Sequence, residues 1–433
     1  MQKIIFSTLL TVSLSLLQAQ ETVLPAKEQK GSFYLTNATI HIGNGKVIQN
    51  GTIKVTNGKI EAVGDNIAVP AGADNVTNLK GQDLYPGLIL PSSTLGLIEI
   101  SSVRATQDAR EIGEMNPSVR SIVAYNSDSK VINTLRSNGI LLANVVPQGN
   151  FVAGTSSVVQ LDAWNWEDAA YKTDAGLHVY MPSLLPRPSF GGRGGGFGMG
   201  NFGAQGGDPV KEGLEKMEGL KTFFREAKAY QQLADRKATN LKFEAVKDLF
   251  EKKQKLYMHA TTAKQILVAL DFVKEFGFDM VIVGGSESYQ VADLLKQHDV
   301  SVILQQPHSL PTAGDDDVDQ PYKTAAQLKK AGVLFSISDD DSQTRGRNLA
   351  FNAGTAAAYG LDKEEALAAI TLNAARIMGV ADKTGSIEVG KDANIVVSSG
   401  DLLDMRNSNV TAAYIQGRKI DLTDKHKLLN DRF

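Results

Sequence analysis

The sequence predicts a mixed α/β protein in which a parallel (β/α)8 barrel carries a small β domain built from both ends of the chain. Four strand–helix units follow one another between Leu256 and Met378 at intervals of about 20 to 35 residues, as in a parallel α/β barrel. Strand-rich segments at 31–84 and 385–420 flank this region and indicate a β domain shared by both termini. A doubly wound open sheet is the alternative, but no glycine-rich dinucleotide turn follows any of these strands.

The first residues have the pattern of an export signal. Lys3 provides a positive charge, an apolar and Ser/Thr-rich run covers 4–17, and Ala19 is a small residue at a cleavage point. We therefore predict a signal peptide over 1–19 and a periplasmic or secreted mature protein. No later stretch approaches 18 apolar residues, so no stable membrane anchor is expected.

Composition excludes several classes of function. The formal net charge of −3 gives no reason to expect nucleic acid as a partner. The chain has no Cys, so disulfides, thiolate metal sites and a thiol nucleophile are excluded.

The β domain is predicted over 30–85 and 383–422, and the barrel over 86–382. Short apolar runs alternate with Asn/Gly turns in the first segment, and Asn57-Gly58 is a strong hairpin signal. His41 lies on one of these runs and is interpreted as a structural histidine. Within the barrel, half of the residues of 189–208 are glycine, which predicts a mobile loop, with an active-site lid as the alternative.

One stretch marks the start of the barrel. Tyr85-Pro86-Gly87 is a turn that leads into an apolar run, and the run ends in Ser92, Ser93 and Thr94. This stretch resembles the entry to the catalytic barrel in the amidohydrolase superfamily, which usually reads P-G-L-I-D-x-H-x-H. The aligned positions here are Leu90, Ser92 and Thr94, so neither of the two histidines that hold a metal in the superfamily is present.

Further motifs extend the resemblance over almost the whole mature chain. The segment 385–397 reads G-S-I-E-V-G-K-D-A-N-I-V-V and resembles the return of amidohydrolases to their β-sandwich. The segments 147–150 and 154–157 resemble the glycine-rich loop of the imidazolonepropionase-like branch. The resemblance implies a TIM-like barrel with a small β-sandwich, hydrolysis of amide or cyclic amide C–N bonds, and one or two divalent metal ions.

The superfamily's ligand positions can be matched one by one. His259 matches the metal-binding histidine of strand five, and Asp339 matches the catalytic and metal-binding aspartate of strand eight. Gly284 stands where strand six normally ends in a histidine. The lysine of the first half of the barrel is matched by Gln160 or by His178.

Two interpretations follow from this match. In the first, the inherited binuclear site is lost, no metal is bound, and the protein binds an amide-type small molecule or pairs with an intact amidohydrolase paralogue. In the second, the site is rearranged. His178, His259 and His308 would then join Asp339 around a single Zn²⁺, Mn²⁺ or Fe²⁺, in a mononuclear hydrolase.

Overall fold

The computed structural model describes residues 24–73, 75–185, 208–233, 238–312, 314–339 and 344–433. The predicted signal peptide and the glycine-rich loop, except for Asp208, lie outside the described residues. The strands are β1 (Ser32–His41), β2 (Val47–Thr56), β3 (Lys59–Gly64), β4 (Val76–Asn78), β5 (Asp83–Pro86), β6 (Leu88–Ser93), β7 (Ile140–Val145), β8 (Val152–Gln160), β9 (Ala170–Tyr180), β10 (Lys255–Ala260), β11 (Met280–Gly284), β12 (Ser301–Leu304), β13 (Phe335–Ile337), β14 (Ile395–Ser398), β15 (Val410–Ile415) and β16 (Arg418–Lys419).

The helices connect and cover these strands. The α-helices are α1 (Lys130–Arg136), α2 (Trp166–Ala169), α3 (Pro209–Gln231), α4 (Leu241–Glu244), α5 (Lys247–Phe250), α6 (Ala263–Phe276), α7 (Ala292–Gln297), α8 (Gln320–Lys330), α9 (Leu349–Ala358), α10 (Lys363–Ala369), α11 (Leu372–Met378) and α12 (Lys425–Arg432). Short 3₁₀ helices cover Arg104–Thr106, Ser121–Ala124, Ser288–Val291 and Thr344–Asn348. Within the described residues, no helix is both long enough and apolar enough to cross a bilayer.

Both ends of the chain meet in one hydrogen-bonded sheet, here called the terminal sheet. Its order is β16-β15-β14-β5-β1-β2-β3, with β4 beside β1, and the antiparallel pair β5/β14 joins the two ends. The apolar residues of both ends form a single buried cluster, which includes Ile40, Ile53 and Ile395. The additional β domain predicted from the sequence is therefore present.

The Asn57-Gly58 hairpin is confirmed. Both residues have positive φ angles, +48° and +79°, and they connect the antiparallel strands β2 and β3. A two-residue turn with both φ angles positive matches the right-handed twist of the strands that it joins.

A second sheet forms the barrel, in the order β6 to β13. The run from β9 to β13 is parallel throughout, and its helices α6 to α8 lie between successive strands, as predicted. At the remaining gap between β13 and β6, the Ser338 hydroxyl donates to the Ser92 carbonyl at 3.0 Å. The structure thus confirms a TIM-like barrel.

The first half of the barrel departs from the regular strand–helix repeat. Strand β8 is antiparallel to both of its neighbours, β7 and β9. Only residues 146–151 separate β7 from β8, whereas a parallel connection needs about a dozen residues or more. A connection this short can only form a hairpin, so β8 runs in the reverse direction.

A buried ionic cluster, here called the Asp162 junction, ties the barrel to the terminal sheet. Asp162 is 1% exposed and lies between Arg136 at 2.8 Å and Arg418 at 3.2 Å. Its carboxylate also accepts from the backbone N–H of Ala26 at 3.0 Å. Three separate parts of the chain therefore converge on one carboxylate, which satisfies its hydrogen-bonding capacity in the interior.

His41 forms a second contact between the sheet and the barrel. Its Nδ1 lies 2.6 Å from the Glu364 carboxylate, its Nε2 lies 3.8 Å from Asp83, and its ring stacks on Tyr85. Burial lowers the pKa of His41, but the two carboxylates outweigh burial and raise the pKa to about 9.

Candidate functional site

A cavity of about 320 Å³ opens at the barrel mouth, where the parallel strands end. In parallel barrels the carboxyl ends of the strands carry the functional residues. The described residues that line this mouth cavity are Ser92, Ser93, Thr94, Val146, Gln148, Tyr180, Met181, His259, Thr261, Gln265, Val283, Gly284 and Gln305.

Two of the sequence-predicted residues meet below this cavity. Nδ1 of His178, on β9, lies 2.9 Å from Nε2 of His259, on β10. His178 is fully buried, whereas His259 is partly exposed and lines the cavity. The two imidazoles therefore form a hydrogen-bonded pair that runs from the barrel interior to its mouth.

Two tyrosines extend this pair into a column of four rings, here called the ring column. Tyr257 stacks on His178, with ring centroids 4.6 Å apart, and Tyr180 stacks on His259, with centroids 3.8 Å apart. The Tyr257 hydroxyl donates to the Ile377 carbonyl of α11, and the Tyr180 hydroxyl donates to the Pro147 carbonyl. Both ends of the ring column are thus fixed to the backbone.

The register of the sheet explains why these rings meet. Tyr257 is paired with His178, and His259 is paired with Tyr180, across parallel strands. Alternate residues of a strand point to the same face, so all four side chains enter the barrel interior. Gly176, two residues before His178 on β9, makes room for the ring column, because a Cβ atom there would overlap the Tyr257 ring.

Burial keeps both histidines neutral. Desolvation lowers the pKa of His259 to about 3. Desolvation also holds the pKa of His178 well below its usual range, and the neighbouring His259 lowers it further. Near neutral pH the pair therefore contributes no positive charge to the cavity.

Asp339 lies in a different environment. It lies two residues after the end of β13, is 1% exposed, and accepts from Nδ2 of Asn352 at 3.2 Å. Its other carboxylate oxygen lies 3.5 Å from Nε of Arg345. The Arg345 side chain is thus directed towards this carboxylate.

His308 lies apart from the histidine pair. It is exposed, its Nε2 lies 3.1 Å from the Thr355 hydroxyl of α9, and its ring contacts Tyr322 of α8. The structure therefore brings His178 and His259 together and places His308 among the outer helices.

Gln160 is not at the mouth, which corrects one of the two sequence alternatives for the first-half lysine position. Because β8 runs in reverse, its last residue lies at the opposite end of the barrel. There the Gln160 amide donates to the Asp168 carbonyl and accepts from Arg418. Of the two candidates, only His178 lies beside His259.

The donor set does not fit a binuclear metal centre. Nε2 of His259 faces His178, and Ser92 and Thr94 occupy the mouth end of β6. Gly284 has a φ of +102°, and a Cβ atom there would lie 3.2 Å from the Ala260 carbonyl oxygen, so a histidine at this position would be strained. In the parts of the chain that the structure describes, no group of three or more His, Asp or Glu side chains is placed to hold a metal ion.

Sequence reasoning did not identify Tyr180, Tyr257 or Gln148. A usable signal is present for the tyrosines, because His178 and Tyr180 alternate on one strand, and Tyr257 and His259 do so on the next. Aromatic residues two positions apart on adjacent strands share one face and can stack. No comparable pattern marks Gln148, which lies in the connection between β7 and β8.

The sequence and the fold of this chain are similar to those of known proteins. The amidohydrolase family profile matches residues 153–420. A solved amidohydrolase from Thermotoga maritima is 27% identical, with a TM-score of 0.75, over 90% of this chain and 99% of that one.

Two curated imidazolonepropionases match over a shorter segment. The protein from Thermoplasma volcanium is 40% identical over 82 residues, and the one from Flavobacterium johnsoniae is 35% identical over 81 residues. Each alignment spans 20% of the curated relative's length and 18% of this chain. The family profile, which spans more than half of the chain, shows that the chain belongs to the amidohydrolase family.

Proposed function

We propose that this protein is an exported amidohydrolase-fold protein that has lost the binuclear metal chemistry of its family and binds an amide-type small molecule in the mouth cavity. The observation that carries this proposal is the 2.9 Å contact between His178 and His259. That contact occupies Nε2 of the one imidazole that lines the described part of the cavity. A catalytic Zn²⁺ needs about three protein ligands and an open position, and the neighbouring strand ends offer hydroxyls and a glycine instead.

Metal analysis tests the proposal directly. After growth in metal-replete medium, the purified protein should carry less than about 0.1 equivalent of Zn²⁺, Mn²⁺ or Fe²⁺, since the ligand set is incomplete. Metal content near one equivalent that disappears in His259→Ala would overturn the proposal and favour the rearranged mononuclear hydrolase. His426→Ala is the matched control, because His426 lies on the C-terminal helix α12.

An activity measurement gives an independent test. Hydrolysis of amides and cyclic amides should stay at the background rate, with or without added Zn²⁺. Turnover that a chelator abolishes and Zn²⁺ restores would contradict the loss of metal chemistry, whatever the metal content on purification.

Export is part of the proposal and is supported by the sequence of 1–19 alone. Lys3, the apolar run 4–17 and Ala19 have the order of a signal peptide. Mass spectrometry of the periplasmic or secreted fraction should find a mature N-terminus just after Ala19. Recovery of the intact N-terminus in the cytosol would refute export and would leave the proposal about the cavity unaffected.

A second candidate function, pairing with an intact amidohydrolase paralogue, is favoured by one surface. Ile112 is 87% exposed and Val123 is 60% exposed, and both line an open groove of about 520 Å³ that also reaches Pro147. Exposed apolar side chains that share a groove are typical of interaction sites. An intact paralogue should co-purify from the native host, and the double change Ile112→Asp with Val123→Asp should abolish this. A lone monodisperse species would count against pairing.

A further inference from the structure

Several polar atoms of the mouth cavity have no partner within the protein. The Thr94 hydroxyl is buried, and Thr94 is only 4% exposed, yet this hydroxyl makes no hydrogen bond. Among the described residues, the hydroxyls of Ser92 and Thr261 and the side-chain amide of Gln148 also have no hydrogen-bond partner, and all line the cavity. Buried polar groups are normally paired, so the Thr94 hydroxyl is placed for a partner that the chain does not supply. The exposed Thr261 and the half-buried Gln148 add open donors and acceptors to the same cavity wall.

Other polar groups of the lining are already engaged. The Gln265 amide donates to the Pro182 carbonyl at 3.0 Å and accepts from the Thr261 backbone N–H at 2.9 Å. The Ser93 hydroxyl accepts from the N–H of Leu95, and the Tyr180 hydroxyl donates to Pro147. These groups hold the walls in place. The unpartnered atoms therefore form a distinct set on a fixed frame.

The cavity lining carries no formal charge in the part of the chain that the structure describes. None of its residues is Lys, Arg, Asp or Glu, and Nε2 of its one histidine, His259, faces the imidazole of His178. A charged ligand would lose hydration here without gaining an opposite charge, which is costly. An uncharged ligand with donors and acceptors loses much less hydration free energy, because the unpartnered hydroxyls and amide of the cavity replace its hydrogen bonds to water.

The contact between the two histidines determines which ring nitrogen of His259 carries the proton. Nε2 of His178 is buried and has no partner, and an orphaned buried N–H is rarer than an orphaned acceptor. We therefore assign the proton of His178 to Nδ1, which donates to Nε2 of His259. His259 must then carry its own proton on Nδ1, an atom with no partner among the described residues.

From these contacts we infer that the mouth cavity binds an uncharged, hydrogen-bonding small molecule and discriminates against anions. Ser92, Thr94 and Gln148 contact this ligand, and His259 donates to it through Nδ1–H. His178 is a positioning residue that sets the tautomer of His259. The inference rests on the proposed function, because a metal on His259 would need the lone pair that this arrangement uses internally.

Calorimetric titration of the full chain in the presence of a chelator tests the discrimination. The probes are glutarimide, which is an uncharged cyclic amide, D-glucose, which is an uncharged polyol, and glutarate, the dianion with the carbon chain of glutarimide. The better uncharged probe should bind at least about tenfold more tightly than glutarate, a difference of about 1.4 kcal/mol. Whichever uncharged probe binds better identifies the cyclic-amide or the polyol chemistry.

Two outcomes would overturn the inference. One is glutarate binding as tightly as the better uncharged probe. The other is no saturable binding of either uncharged probe up to about 10 mM, which is beyond the weak limit of specific recognition. Neither outcome affects the proposed loss of metal chemistry, which fails only if the protein binds metal or shows chelator-sensitive hydrolysis.

Substitutions test whether the uncharged probe binds in the mouth cavity. Thr94→Ala should weaken the uncharged probe by about two- to tenfold, the usual value of one hydrogen bond. The control Thr77→Ala alters an exposed threonine of β4 in the terminal sheet and should leave binding unchanged. Equal losses in the two variants would place the ligand elsewhere and overturn the inference.

The tautomer has a separate spectroscopic readout. In the wild type, the ¹⁵N shifts of His259 should show a protonated Nδ1 and an unprotonated Nε2. His178→Phe keeps a ring in the column but removes the donor, so the shifts should move towards a mixture of tautomers and the uncharged probe should bind more weakly. A wild-type His259 protonated at Nε2 would refute the role of His178.

Discussion

The mouth cavity and the Asp162 junction both bury polar side chains, but they differ in how those side chains are satisfied. At the junction, one carboxylate lies between two guanidinium groups and also accepts a backbone N–H. At the mouth, the buried hydroxyl of Thr94 has no partner. The Asp162 carboxylate is thus satisfied within the protein, although Nε of Arg136 has no partner, whereas the Thr94 hydroxyl at the mouth has none at all.

This difference separates stability from binding. A buried carboxylate that is paired with two guanidinium groups resists change, because removing it leaves both cations without their shared counter-charge. An unpaired buried group lowers stability slightly, and its free energy is recovered when a ligand supplies the missing partner. The same types of residue can thus be assigned to structure or to binding from their hydrogen bonds alone.

The largest expected effect is at the Asp162 junction. Asp162→Ala leaves Arg136 and Arg418 buried without their shared carboxylate, so the free energy of unfolding should fall by about 3–5 kcal/mol. Denaturant unfolding measures this loss. Glu61→Ala, which removes the exposed partner of Lys54, is the control and should change stability little. A small loss of unfolding free energy in Asp162→Ala would show that the junction does not stabilise the fold, and the junction would then not differ from the mouth cavity in this respect.

The next effect is pH-dependent and belongs to His41. Its pKa is raised from 6.5 to about 9 in the folded state, so its stabilising contribution is fully present below pH 6.5 and is lost as the pH rises through about 9. That shift corresponds to at most about 3 kcal/mol. Unfolding of wild type and His41→Gln across this range should show the decline in the wild type only. Parallel curves would show that His41 does not titrate as described.

A third effect concerns the floor of the ring column. Gly176→Ala places a methyl group against the Tyr257 ring and should cost about 1–3 kcal/mol through overpacking. Tyr257→Val removes the ring, so the double variant should lose less stability than the sum of the two single losses. Strict additivity, measured by denaturant unfolding, would mean that the ring does not determine the need for glycine.

The smallest expected effect concerns Thr94, and it tests most directly whether the mouth cavity differs from the junction. Thr94→Val removes a buried hydroxyl that has no partner and keeps the shape of the side chain, so stability should stay within about 1 kcal/mol of wild type or rise slightly. Thermal unfolding without ligand checks this. A marked loss of stability would show that the Thr94 hydroxyl already has a structural partner, and the mouth would then resemble the junction.

Local patterns predicted much of the fold. The strand–helix units after Leu256 and the Asn57-Gly58 hairpin depend on periodicity and turn chemistry within a few residues, and both are present. The reversal of β8 depends on the length of a connection between two strands, and apolar runs alone do not show strand direction.

The candidate site was less predictable because it depends on pairing between distant strands. The sequence identifies His178 and His259 as candidates, but their contact requires the register of β9 against β10. The location of His308 beside the outer helices likewise depends on the course of the chain after β12. Hydrogen-bond satisfaction, which distinguishes the mouth from the junction, is a property of three-dimensional contacts and cannot be read from residue types.

The terminal sheet has a consequence for biosynthesis. Pro86 pairs with Ile395, so β5 receives its antiparallel neighbour only after all of the barrel strands have been made. Contacts this distant in sequence form slowly and leave apolar strand faces uncovered in the meantime. A chain truncated before β14 would retain every barrel strand and still lack the antiparallel partner of β5. Products truncated before β14 should therefore be preferred substrates of proteases and chaperones.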